Sequence, residues 1–467
     1  MRLCSRTSMA VAVTIAMILL TATVIGQTVS TVYNFSGSDG EFPQGQLLAQ
    51  GRDGLLYGTT WRGGANDYGT IFKLNPRTGI LTTLYSFGTQ GVSPVGGLTL
   101  GSDGNFYGTA PFGGSYNRGV LFRFSPGGVY TVLHEFTGAE DGDYPYSAPI
   151  QTQDGIMYGA SGAPAESGAI AALYKFAISS GSFSTVYTLP SIAGNVQQPP
   201  VQIGNGDLYV STTYIGPGNC GSILRITPAG VLKSTYTFNS CGAKQGAYPN
   251  WMVAAADGNV YGTTSQGGIY RVGGGTIFKD DPRTGIVTAV HDFGAVPNEG
   301  EQGAGITLAT DGNFYGPTES GGAFGTGGTL YQLTPSRIYT TLYNFQPTSE
   351  NPFPGPLVQY TTGTLYGLTF FGGINTKGSI YSLDMGLGPF VALVYSQGRV
   401  GQTIQILGQG LSGATGVTVN GVATSSFKVV SDTFMTAVIP AGATTGLVAV
   451  ITPTAVLNSN RNLQVVQ

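Results

Sequence analysis

Leu56-Tyr57-Gly58-Thr59 decides the reading of this chain, because the phrase returns six more times. Its other forms are Phe106-Tyr107-Gly108-Thr109, Met157-Tyr158-Gly159-Ala160, Leu208-Tyr209-Val210-Ser211, Val260-Tyr261-Gly262-Thr263, Phe314-Tyr315-Gly316-Pro317 and Leu365-Tyr366-Gly367-Leu368. The tyrosines lie 50, 51, 51, 52, 54 and 51 residues apart. A fixed period of about 50 residues, built from short apolar runs and Gly turns, is the signature of propeller blades.

Outward from the phrase, one repeat reads as four strands. In the second repeat, strand a is Leu98-Thr99-Leu100, strand b Asn105 to Thr109, strand c Val120 to Phe124 and strand d Val129 to Phe136. The a–b turn carries Asp53-Gly54, Asp103-Gly104, Asp154-Gly155, Asp257-Gly258 and Asp311-Gly312, with Asn205-Gly206 and Thr362-Gly363 in the other two repeats. Asx-Gly supplies the positive φ of a tight hairpin. Pro76, Pro126, Pro228 and Pro282 mark c–d turns, where proline presets φ. The seventh repeat has a strand c, Ser379 to Leu383, but no strand d, whereas Thr31-Val32-Tyr33-Asn34-Phe35 is a strand d with no repeat before it. The expected fold is all-β: a seven-bladed β-propeller over 27–386, closed by the N-terminal strand so that no free sheet edge remains. An open solenoid is the alternative. From Pro389 the phrase stops, and alternating runs such as Thr403 to Leu407 predict a small Ig-like β-sandwich over 387–467.

The repeats resemble the GloVer tandem-repeat family of exported bacterial proteins. The resemblance runs through Asp39-Gly40-Glu41-Phe42-Pro43, Tyr57-Gly58-Thr59-Thr60, Gly63-Gly64 and Gly69-Thr70-Ile71-Phe72-Lys73-Leu74, and weakens in repeats three and four. The tail resembles an IPT/TIG domain through Ile406 to Ala414, Val419-Asn420-Gly421-Val422 and Val438 to Gly446. The first resemblance implies placement outside the cytoplasm, the second a spacer or protein-contact role. Neither implies a catalytic residue.

Residues 1–26 read as a signal peptide, with Arg2 and Arg6 ahead of an apolar run from Met9 to Leu20 and Gln27 as the mature N-terminus. An uncleaved anchor is the alternative. Removing those two arginines from the 20 basic residues leaves 18 against 23 acidic ones, a charge of −5. Together with only 9% charged residues, that excludes a basic nucleic-acid surface. The mature chain is expected to be extracytoplasmic, monomeric and without a membrane span.

Chemistry is sparse. Cys220 and Cys241 flank the c–d hairpin of repeat four almost symmetrically, which predicts a disulfide in an exported protein; free thiols or a metal pair are the alternative. His134 and His291 stand where other repeats carry Tyr85, Tyr187, Tyr236 and Tyr343, so both are read as packing residues. The repeated turn aspartates are likewise structural. Asp39 with Glu41, Glu140 with Asp141 and Asp143, and Glu299 with Glu301 are read as solvated loop charge, and no cofactor or metal is expected.

The fourth and fifth places after each repeat tyrosine vary while the framework does not. The fourth holds Trp61, Pro111, Gly162, Thr213, Ser265, Glu319 and Phe370; the fifth holds Arg62, Phe112, Ala163, Tyr214, Gln266, Ser320 and Phe371. In propellers the b–c and d–a loops share the face where ligands bind. Trp61, Arg62, Phe112, Tyr214, Glu319, Phe370 and Phe371 are therefore the candidate recognition residues, for a glycan or an extracellular protein. Ordinary loop drift is the bland alternative, and a polysaccharide lyase or hydrolase the rival class.

Overall fold

The computed structural model describes residues 27–44, 47–152, 155–162, 170–189, 196–213, 217–242, 244–270, 273–347 and 352–466. Residues 1–26, and with them the expected signal peptide, lie outside this set. Regular structure in the described residues is strand, apart from single 3-10 turns at Pro217–Asn219 and Leu411–Gly413.

Each repeat forms one antiparallel sheet. In the second, Thr99–Leu100, Phe106–Ala110, Val120–Phe124 and Tyr130–Glu135 pair in that order, close to the four strands expected. The seventh sheet runs Val358–Gln359, Leu365–Thr369, Ser379–Asp384 and then Thr28–Asn34 from the other end of the chain. Val29 there pairs with Leu383 and Tyr33 with Ile380. The sixth sheet gains a fifth strand, because Gly300–Gly303 in the d–a loop pairs with an extended Phe314–Gly321.

Two contacts explain the repeated phrase. The Tyr57, Tyr107, Tyr261 and Tyr315 hydroxyls donate to Asp53, Asp103, Asp257 and Asp311 at 2.7, 2.8, 3.0 and 2.8 Å. The same carboxylates accept the backbone N–H two residues on, so each aspartate ties its turn to the following strand. The glycine of the phrase lies opposite a strand c ring: Gly58 opposite Phe72, Gly108 opposite Phe122, Gly159 opposite Tyr174 and Gly367 opposite Tyr381. A Cβ at Gly58 or Gly108 would stand 2.5 or 2.6 Å from the Cζ of that ring. Repeat four carries Val210 in place of the glycine, and there the opposite residue shrinks to Leu224.

Neighbouring sheets are joined by the same bonds each time. The Ser93, Tyr144, Tyr248 and Gln302 N–H groups donate to the carbonyls of Tyr68, Arg118, Cys220 and Gly274 in the preceding repeat. Phe42 N–H donates in the same way to Lys377 of repeat seven. Apolar clusters fill the spaces between sheets: Tyr57, Phe87, Leu98, Phe106 and Phe122 between the first two, and Phe35, Leu56, Phe72, Tyr366 and Ile380 between the first and seventh.

The expected disulfide is present between Cys220 and Cys241, with Cα atoms 5.0 Å apart. The histidines pack as expected: His134 stacks on Phe183 with centroids 3.5 Å apart, and His291 on Tyr339 at 4.1 Å.

The loop acids correct the sequence reading of solvated charge. Asp143, Glu299 and Glu41 are buried. Arg118 pairs with Asp143 at 2.6 Å, Lys377 with Glu41, and His291 with Glu299, while Asp141 accepts from His134 at 3.0 Å and Asp39 from Tyr33. Loop polarity suggested solvent exposure; the partners come from a strand d, from a b–c loop or from the distant repeat seven, which loop polarity does not reveal.

Beyond Asp384, two further four-stranded sheets share a core that includes Leu393, Ile404, Ile406, Val417, Val419, Met435, Val448 and Val450. This unit packs on the a–b turns. Arg52 donates to Gln405 at 2.8 Å and lies 4.6 Å over the Phe434 ring; Gln409 accepts from Arg77 and donates to Tyr360.

Candidate functional site: a cavity on the loop face

The opposite face from those turns gathers the d–a and b–c loops. They touch through short bridges, Glu41 with Arg62, Val92 with Phe112 and Pro354 with Thr369. Between them lies an open cavity of about 430 Å³, to which most of the repeats contribute lining residues. Such a volume falls within the range of roughly 300–1,000 Å³ found for small-ligand sites.

The variable fourth place contributes Thr213, Ser265, Glu319 and Phe370 to the lining, and the fifth contributes Phe371. Trp61 and Phe42 lie outside the lining and continue its rings into one aromatic wall. Phe42 stands 6.3 Å from Trp61, 5.5 Å from Phe370 and 5.3 Å from Phe371 between ring centroids. Phe370 and Phe371 are 4.4 Å apart, Trp61 and Phe370 5.8 Å, and Phe353 adds a fifth ring 6.0 Å from Phe371. The rings come from repeats one and seven, brought together where Thr28–Asn34 pairs into the seventh sheet.

Besides Trp61, two further candidates stand apart from the lining. Arg62 is exposed, with its guanidinium 4.8 Å over the Trp61 ring. Phe112 packs on Tyr144 at 5.6 Å. Tyr214 lies outside the described residues.

The sequence reading missed the residues that precede proline in the d–a loops. Phe42, Ser93, Tyr144, Tyr248 and Phe353 all have left-handed backbone, with φ of 55°, 59°, 45°, 55° and 43°, and Gln302 at the equivalent place has 61°. Non-glycine residues in this region cost on the order of 1–3 kcal/mol each and cluster at ligand clamps. Here the inter-sheet N–H bonds hold the conformation at five of the six, and four of the six side chains are aromatic. The aromatic residue before the loop proline, present in four of the five cases, was the available signal. Tyr248 is further braced at Cys241 Sγ, 3.2 Å from its hydroxyl.

The rest of the lining mixes polar groups with Val95, Pro249, Trp251 and Ala304, and is nearly uncharged. Asn250 is locked, donating to Gly303 O at 2.7 Å and accepting from Thr263. Gln198 Oε1 is buried without a hydrogen-bond partner among the described residues. Glu319 is the one carboxylate in the described lining, and burial holds it above the usual carboxylate range. Among the described residues, no three His, Cys, Asp or Glu side chains gather as a metal site would require.

Successive four-stranded sheets with loops converging on one cavity define a repeat-built propeller protein. The model of the Gloeobacter/Verrucomicrobia repeat matches residues 18–171 and 160–381, and the chain belongs to that family. Among solved structures, a streptogramin B lyase is similar with a TM-score of 0.54 and 15% identity, covering 77% of this chain and 98% of that one. An oligogalacturonate lyase from Vibrio parahaemolyticus gives 0.48 and 13%, over 77% and 97%. PorZ, a surface component of the type-IX secretion system of Porphyromonas gingivalis, gives 0.47 and 15%, over 93% and 60%. At these identities the likeness is one of fold. A comparison with curated proteins returns no match.

Proposed function

We propose that this is an exported binding protein whose loop face holds a partner without chemical turnover. The observation that carries the reading is the wall of Phe42, Trp61, Phe353, Phe370 and Phe371 beside a cavity of mixed, nearly uncharged lining. Aromatic rings supply large contact area at low entropic cost, and left-handed backbone positions present them ready-made. In this reading residues 1–26 are cleaved, residues 27–386 form a closed seven-bladed ring, and 387–467 form an IPT/TIG-like module acting as a monomer's spacer. Ring closure draws support from the Thr28–Asn34 pairing and from the Phe42-to-Lys377 bond, which repeats the rule seen between other neighbours. Placement outside the cytoplasm draws support from the disulfide. Among the described residues, no helix is long and apolar enough to cross a membrane.

The second reading, a polysaccharide-cleaving propeller, rests on Glu319 alone. Glycosidases use two carboxylates flanking the scissile bond, and the described lining offers one. The deciding experiment screens the purified chain against polysaccharides and exported proteins, reading retention and product release together. Binding is expected to fall roughly thirtyfold in Trp61→Ala, Phe370→Ala or Phe371→Ala, with little change in melting temperature. His134→Phe is expected to bind like the parent. Product release abolished by Glu319→Gln would move the protein to the enzyme class, and unaltered binding by the aromatic variants would end the reading.

A further inference from the structure

The charge of the cavity narrows the ligand. An acidic sugar brought against this wall needs a cation within reach, since a buried carboxylate or sulfate without one loses its hydration uncompensated. The described lining holds no arginine, lysine or histidine. Arg62 and Lys377 stand over Trp61 and Phe42, the two rings of the cluster that lie outside the lining, and Lys377 is paired with Glu41. The one ionisable acid in the lining, Glu319, would repel a uronate. A neutral sugar meets none of these costs. Its C–H faces suit Phe353, Phe370 and Phe371, while its hydroxyls can bond Ser265 and Glu319.

We infer that the loop-face cavity selects a neutral glycan chain over an acidic one, through aromatic rings set in a lining whose described residues hold no cation. The inference rests on the binding role proposed for that face, and deepens it.

The test is a glycan array carrying neutral β-glucan, xylan and mannan beside polygalacturonate, alginate and hyaluronan, probed with the full exported chain. At least one neutral chain is expected to bind, and the acidic chains to bind tenfold or more weakly at the same ionic strength. Phe370→Ala should lose the neutral signal by roughly thirtyfold. His134→Phe, at a packing residue away from the cavity and checked for an unchanged melting temperature, should keep neutral binding within about threefold. Glu319→Arg, also checked for folding, should gain acidic chains. Acidic chains held more tightly than neutral ones, with the signal lost in Phe370→Ala, would overturn the selectivity while leaving the loop-face role intact. Absence of any glycan signal overturns the inference. The loop-face role is then judged separately, by capture of an exported protein that depends on Phe370.

Discussion

Gly58 is a strand glycine with no need of positive φ, so its small size has to be explained by what it faces. A Cβ there would lie 2.5 Å from Phe72 Cζ and 2.8 Å from Leu48 Cδ2, and both neighbours are buried. Gly58→Val therefore drives a branched side chain into a filled space, and overpacking of this kind costs typically about 1–3 kcal/mol. Phe72→Leu alone opens a void, at about 1–2 kcal/mol, less than the roughly 3–5 of complete truncation to alanine. Repeat four already holds the combination, Val210 opposite Leu224. The double variant should thus be more stable than the sum of the single changes implies, by a coupling of about 1–2 kcal/mol. Relief is incomplete, because Leu48 remains where repeat four has Pro200. Urea denaturation of the parent, both single variants and the double variant closes the cycle. Additivity to within about 0.5 kcal/mol would refute the account of the glycine as a seat for the ring.

Three further outcomes are expected. Intact mass after thiol labelling without reductant should show no free thiol at Cys220 and Cys241, and replacing both with alanine should cost on the order of 3 kcal/mol; two labelled cysteines in the exported protein would refute the bond. Deleting residues 27–36 removes the outer strand of the seventh sheet, so the shortened chain should melt lower and self-associate in sedimentation; unchanged melting as a monomer would sink the closed ring. Asp280 occupies the core-facing place that is Leu74, Leu333 or Leu383 in other repeats, and burial raises its pKa to about 6 despite the Arg225 charge. A raised carboxyl favours folding fully below its unfolded pKa, and that contribution is lost as pH rises from about 4 through 6, by roughly 3 kcal/mol. Asp280→Leu should accordingly gain stability over the parent at pH 7 but not at pH 4; an equal gain at both would show that Asp280 stays unprotonated throughout.

The sequence alone determined what local chemistry determines. The Tyr-Gly period marks the repeats, Asp-Gly turns with the tyrosine four residues on set each hairpin, and alternation within strands c and d sets their faces. The unmatched strand d at the N-terminus and the near-symmetric placing of Cys220 and Cys241 each foretold a long-range pairing, because hairpin arithmetic and the count of strands carry that information. The site was half legible. Variation at Glu319, Phe370 and Phe371 pointed to the cavity lining, yet the same rule also selected Trp61, Arg62 and Phe112, which the structure leaves outside it. Whether a loop side chain meets the axis depends on its backbone angle and on the neighbouring sheet, and neither repeats with the motif. Only the tertiary structure brought Phe42 and Phe353 to the wall, by bonding loops of one repeat to carbonyls or strands of another and so holding a left-handed turn before proline. It also withdrew Glu41, Asp143 and Glu299 from solvent. Their partners lie on strand d, in a b–c loop or across the junction of the two chain ends, and a charge's burial is set by what packs against it.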